Sequence, residues 1–563
     1  MGAAAIGSGS GSRRRSRMRK TLIVIGLDSA PPDLLERWVE QGHLPHIASL
    51  QRQGATCPLR GPDWYLSEQV WTLILTGCEA EHTGYWSRWS FDPQTYELRD
   101  TGAYAFRERR PFYALGSDYR TAIFDVPQAR IAEDVSGIQI QAWGARSART
   151  GSASDPPGLL AQIHDTHGRH PAFDRDHASY WNPIALAWLE KALLAGIRRR
   201  AAICRDLLSR EQWDLFFTVF GETHSAGHYF WHLSQAHPLR RRTRDASSDP
   251  LLRVFQAVDR AIGEILSSRP DADVLLFSPE GMSKNAVDLP STVFLPELLF
   301  RLTFGRPGLA GGDATTPPGP PIGFPKALGW YRELYALRAD THRMRRRLRR
   351  WLPLELSAWW EQWSPPGPGP ADPRRFGSLF HQPSMWYSPH WPTMKSFALP
   401  SIAHGYIRIN VQGRDTRGLV APERYDAYCQ ELSDQIQALR DARTGRPLVK
   451  EIVRTRTTPQ DRPDLPDADL IVFYAGEPTD VVDSPTVGRI GPVPYARTGG
   501  HVNQGVAIVK AAECRPGSTL PPGHVRDIAP TILSWLGAPG VERLAGVSFK
   551  PGRIEDARPR ARA

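Results

Sequence analysis

The sequence predicts an α/β sandwich: a central, mostly parallel sheet with helices on both faces. Three observations carry this expectation. Short apolar runs at Thr21–Leu27, at Asp214–Phe220 and beginning at Leu275 have the length of buried strands. Longer segments with apolar residues at helical spacing alternate with them, the pattern of layered α/β domains. Polar residues able to do chemistry stand where the apolar runs stop, and open α/β sheets bind ligands at the carboxyl ends of their strands.

Thr21-Leu-Ile-Val-Ile-Gly-Leu runs straight into Asp28, which is read either as a ligand or as a helix cap. Ser29 to Gln41 follows as a helix, with Leu34, Leu35 and Trp38 on one face. Ser67 precedes a second apolar segment that closes at Gly77. A serine there either caps the segment or acts as a nucleophile, and a free hydroxyl needs activation to do the latter. The stretch from Trp143 to Trp181 is polar and reads as loop, and its His170 reads as structural. Asn182 to Ser209 reads as a long helix with Leu186, Leu189, Leu193 and Ile197 on one face, and Pro250 to Ser267 as another.

The run that ends at Phe220 turns through Gly221 into Glu222-Thr-His224-Ser-Ala-Gly-His228. Residues four apart share a helix face, so the two imidazoles make half of a metal site that a distant residue could complete. The ordinary alternative is a pair of surface or capping histidines.

Composition narrows the class. A chain of 563 residues suits one large α/β domain with an insertion, or two to three domains. The net charge of +11 favours anionic partners, but much of it is local, in Arg13–Lys20 and Arg343–Arg350. No nucleic-acid recognition motif accompanies it, so specific nucleic-acid binding is not expected. The five cysteines are scattered, which points to a reducing cytoplasm rather than a disulfide scaffold. No run approaches the roughly 20 apolar residues of a membrane span. Gly305 to Pro325 and Pro365 to Pro373 read as linkers. Between them Leu328 to Trp363 reads as helical, basic and rich in tryptophan, either packed on the core, stacking on a flat or apolar part of an anionic substrate, or lying at a membrane surface.

Several stretches resemble the type I phosphodiesterase/nucleotide pyrophosphatase family of the alkaline phosphatase superfamily. They are Leu22-Ile-Val-Ile-Gly-Leu-Asp28-Ser, Gly42-His-Leu-Pro-His-Ile-Ala-Ser-Leu, the Ser67 segment ending in Leu75-Thr-Gly77, Arg497-Thr-Gly-Gly-His501-Val-Asn-Gln-Gly, and Val525-Arg-Asp-Ile-Ala-Pro-Thr-Ile-Leu. The resemblance implies an alkaline phosphatase-like three-layer fold with a helical cap insertion. The implied division is a leader at 1–19, core at 20–300, a cap at 301–395, core again at 396–550 and a tail at 551–563. It implies Ser67 as nucleophile and one or two divalent metals, zinc first, with manganese or magnesium as alternatives.

By the same resemblance His228 and His501 hold one metal, and Asp28 and Ser67 the other. Two positions depart from the family pattern. His224 stands where the family has Asp, with Glu222 nearby as a substitute, and Pro279-Glu280 stands where it has Asp-His. A three-imidazole set, His224, His228 and His501, suits zinc. Asp28, Glu280 and Ser67 would form a weaker, oxygen-rich site, because Pro279 has no ligating side chain. Lys395 and Arg408 are candidates for binding a substrate anion.

The expected activity is metal-dependent hydrolysis of a small anionic phosphate ester, most simply a diester or nucleotide pyrophosphate, through a phospho-serine. Alternatives on the same fold are a phosphotransferase, a sulfatase, or a degenerate member that binds without turnover. The Cys/Ser-x-Pro-x-Arg pattern of sulfatases is missing around Ser67. The oligomeric state is left open by the sequence.

Overall fold

The computed structural model describes residues 20–144, 150–173, 183–240, 249–309, 311–322, 330–338, 379 and 382–550. The leader, the tail and most of the basic tryptophan-rich stretch lie outside the described residues. Of that stretch, Trp330–Ala336 is described and is helical.

A ten-stranded sheet forms the centre. Its middle strand is Leu22–Leu27, flanked in parallel by Leu215–Phe220 on one side and Asp273–Ser278 on the other. Gly116–Phe124 and Val135–Gln141 extend it in parallel. Gly505–Lys510 runs antiparallel between Asp273–Ser278 and Ala55–Arg60. The sheet is thus mixed but mostly parallel, as expected.

Side-chain alternation along the middle strand builds the two outer layers. Ile23, Ile25 and Leu27 face one core, with the helices Pro32–Glu40, Pro183–Arg210, Glu222–Ser234 and Pro250–Ser267. Leu22 and Val24 face the other, with the helices Leu66–Thr76 and Ile528–Leu536. Every residue of the middle strand is buried, so it contributes to both cores at once.

One expectation is corrected. The polar stretch after Trp143 is not all loop: Leu159–His167 is helical, anchored by buried Leu159 and Ile163. Two apolar residues four apart suffice to seat a short helix whose remaining face is solvated. Gly281–Lys284 pairs antiparallel with Gly499–Val502, and these two short strands form a neck between the main sheet and a second one.

Between them Ser396–Leu399, Gly405–Ile409, Leu470–Tyr474 and Val449–Arg454 make a separate four-stranded antiparallel sheet. This second sheet packs in a hydrophobic core distinct from the two that flank the main sheet, and the chain rejoins the main sheet at Gly505. That second core is docked on the start of the Leu66–Thr76 helix. Tyr406 stacks on Tyr65 at 4.0 Å, and its hydroxyl donates to Glu68 Oε1 at 3.1 Å.

Candidate active site and metal centre

Three neighbouring parallel strands end side by side, at Asp28, Gly221 and Pro279-Glu280. The neck strand carrying His501 lies across the same edge, with His501 opposite Met282. The sheet topology therefore gathers distant residues at the carboxyl ends of its strands, where this architecture binds ligands.

Glu222–Ser234 begins directly after its strand and is buried over its first ten residues. Its four-residue spacing brings the His224 and His228 rings edge to face with centroids 4.2 Å apart, and Nε2 to Nε2 at 3.0 Å. The His501 ring lies 5.0 Å from His224 and 4.8 Å from His228. Close approach of the neck to this helix requires glycine: a Cβ on Gly499 would lie 2.1 Å from the Gly227 carbonyl oxygen.

Fixed acceptors set two of the three tautomers. His228 Nδ1 lies 2.6 Å from the Gly499 carbonyl oxygen, which can only accept, so Nδ1 carries the proton and Nε2 the lone pair. His501 Nδ1 lies 3.0 Å from Glu280 Oε1, which places its lone pair on Nε2 in the same way. His501 Nε2 is buried and makes no hydrogen bond. One ring nitrogen from each of the three histidines lies within 4.8 Å of the others. These residues fit a divalent cation.

Beside them, Ser67 Oγ donates to Glu280 Oε2 at 2.9 Å. Glu280 Oε1 accepts from Ser29 Oγ at 3.0 Å, so one carboxylate joins Ser67 to His501. Ser67 occupies the second position of its helix and does not cap it; the residue before the helix is Tyr65, at φ 51°. Asp28 caps nothing either, because the following helix starts after Pro31. Its Oδ1 accepts from Trp71 Nε1 at 3.2 Å, one turn along the Ser67 helix. Next to Ser67, burial pushes the Glu68 carboxyl up to about 7, against hydrogen bonds from Ile402 N and Tyr406.

Two sequence assignments are redirected. Glu222 turns away from the histidines: its Oε1 accepts from Arg200 Nε and lies by His170 Nε2, each at 3.1 Å. Burial raises this carboxyl, but the Arg200 charge and His170 outweigh it and hold it down at about 2. Arg200 also binds Asp125 Oδ2 at 2.7 Å, so the group is a buried ion cluster behind the site.

Arg408 is 1% exposed and bound to Asp415 and to both oxygens of Asp461, and so braces the second sheet instead of facing a ligand. Lys395 is exposed, with its ammonium 6.0 Å over the Tyr428 ring. The cation that does touch the histidines is Arg497, with Nη1 2.8 Å from His228 Nε2. The sequence signal was its place four residues before His501.

The model of the type I phosphodiesterase/nucleotide pyrophosphatase family matches residues 22–303, just over half of the chain. The chain belongs to that family, and is by that membership a phosphoric ester hydrolase. No curated protein matches it. Among solved structures it is similar to phosphonoacetate hydrolase from Sinorhizobium meliloti, at 10% identity and TM-score 0.43, over 93% of this chain and 96% of that one. It is also similar to murine ectonucleotide pyrophosphatase/phosphodiesterase 5, at 10% identity and TM-score 0.45, over 92% and 95%. No described helix is long and apolar enough to cross a membrane.

Proposed function

We propose that the protein hydrolyses phosphodiesters or nucleotide-type pyrophosphates through a phospho-Ser67 intermediate. The observation that carries this reading is the Ser67 to Glu280 hydrogen bond beside the three-histidine cluster. Glu280 is positioned to take the proton: Ser67 Oγ attacks phosphorus, its hydrogen passes to Glu280 Oε2, and the bond to the leaving oxygen breaks. Ser29 and His501 hold the other oxygen of that carboxylate, which fixes Oε2 on the hydroxyl.

A zinc ion held by His224, His228 and His501 would supply positive charge for the phosphoryl oxygens. A second ion, manganese and magnesium being the oxygen-preferring alternatives, would draw on Asp28 and Glu280. Water then cleaves the phospho-serine. The reading places the enzyme in the cytoplasm, supported by five cysteines scattered along the sequence with no close pair.

The test is a panel of bis(p-nitrophenyl) phosphate, a nucleoside pyrophosphate, a phosphomonoester and a sulfate ester, each with zinc, manganese or magnesium. Diester or pyrophosphate turnover that chelation abolishes and zinc restores is expected. Metal-independent turnover, or turnover of the sulfate ester alone, would overturn the reading.

A further inference from the structure

We infer that Arg497 is an anion-binding residue of the site, presenting its guanidinium to a non-bridging oxygen of the phosphoryl group. The inference rests on the hydrolase reading for the identity of the anion, but on geometry for its place. Arg497 Nε and Nη2 donate to Asp288 Oδ2 and Oδ1 at 2.8 and 3.0 Å. That bidentate pair holds the planar group by one edge and directs Nη1 to the histidine cluster, 2.8 Å from His228 Nε2.

The carrier is rigid. Asn285 N donates to Thr498 O at 2.9 Å, and Asn285 Oδ1 accepts from the Asp288 amide at 3.0 Å. One residue, through its backbone amide and its side chain, thus ties the segment after Arg497 to the turn that bears Asp288.

A guanidinium has five N–H donors. Three meet Asp288 and His228, which leaves one hydrogen on Nη1 and one on Nη2. The side chain is 25% exposed, so it is not sealed in the core. The residue before Glu280 is Pro279, which cannot ligate, so the oxygen-rich side of the site is one ligand short. A fixed guanidinium at its border supplies positive charge that does not depend on filling that side. Arg408, the sequence candidate for this task, is engaged elsewhere.

The competing account is that Arg497 only caps the His228 lone pair until a metal displaces it. The experiment separates the two. Zinc-loaded wild type, Arg497→Met and Arg497→Lys are titrated with inorganic phosphate by calorimetry, and zinc affinity is measured in parallel. The expected result is phosphate binding weaker by about tenfold to a hundredfold in Arg497→Met, the range for hydrogen bonds to charged groups, with zinc still bound. Arg497→Lys, which keeps the charge and the fold, should recover part of it.

Unchanged phosphate affinity in Arg497→Met, or a change confined to zinc affinity, would overturn the inference. So would wild type that binds no phosphate. Arg497-dependent phosphate binding in a protein that turns over no phosphate ester would instead sink the hydrolase reading and leave this one standing.

Discussion

Ser67 and Glu280, 213 positions apart in the chain, meet at 2.9 Å with the hydroxyl donating to the carboxylate. The hydroxyl comes from a helix start and the carboxylate from the end of a central strand, so the contact depends on the main sheet and not on local sequence. Ser67→Ala should reduce diester hydrolysis to background while leaving the fold and bound zinc in place. Glu280→Gln keeps the shape but accepts no proton, and should lower kcat by about 10²- to 10⁴-fold. Rates with bis(p-nitrophenyl) phosphate, beside circular dichroism and metal analysis, check both. Full activity in Ser67→Ala would remove it as nucleophile.

Gly499 is the point where the neck strand touches the histidine helix, and the space there is too small for a methyl group. Gly499→Ala must push the strand away from Gly227, and with it the carbonyl that fixes the His228 tautomer. Zinc affinity should fall, and stability should drop by about 1–3 kcal/mol, the usual cost of overpacking. Metal titration and urea unfolding measure the two effects. Wild-type zinc affinity in this variant would mean that the Gly499 carbonyl does not orient His228.

The meeting of His224, His228 and His501 was legible because each belongs to a short motif whose spacing carries its chemistry. The middle of the sheet was legible because its strands are continuous apolar runs. The second sheet was not. Leu470–Tyr474 is as apolar as a strand of the main sheet, and only its partners Gly405–Ile409 and Val449–Arg454 place it in another sheet. Pairing partners are long-range, and local pattern does not encode them. Glu222 misled for a related reason. Its position beside His224 suggested a ligand, whereas its carboxylate is taken by Arg200, from the preceding long helix.

Arg200 is completely buried between Glu222 and Asp125, against the rings of Phe124, Trp143 and Phe220. Arg200→Met would leave two carboxylates without their cation. Removing one partner of a buried ion cluster costs about 3–5 kcal/mol, far more than a surface pair. The urea midpoint should shift accordingly, and adding Glu222→Gln and Asp125→Asn should restore part of the loss. A midpoint within error of wild type in Arg200→Met would show that the cluster does not stabilise the fold.

Asp469 makes the second sheet sensitive to acid. Its carboxylate accepts from Arg414 at 2.7 and 2.9 Å, from the Ile409 amide at 2.7 Å and from Tyr425 at 2.8 Å. Burial alone would raise its pKa, but Arg414, with Arg456 and Arg408, overcomes that and holds it below the usual aspartate range. A folded pKa below the unfolded value means that the unfolded chain binds the proton first. The stabilisation is therefore complete above the unfolded value of about 3.9 and is lost as pH falls through the lower, folded one. Asp469→Asn lacks the charge at every pH. It should be less stable than wild type at neutral pH, and the gap should close below about pH 4. Urea unfolding of both proteins across that range tests this, and a gap of constant size down to the most acid point would show that Asp469 is not the titrating group.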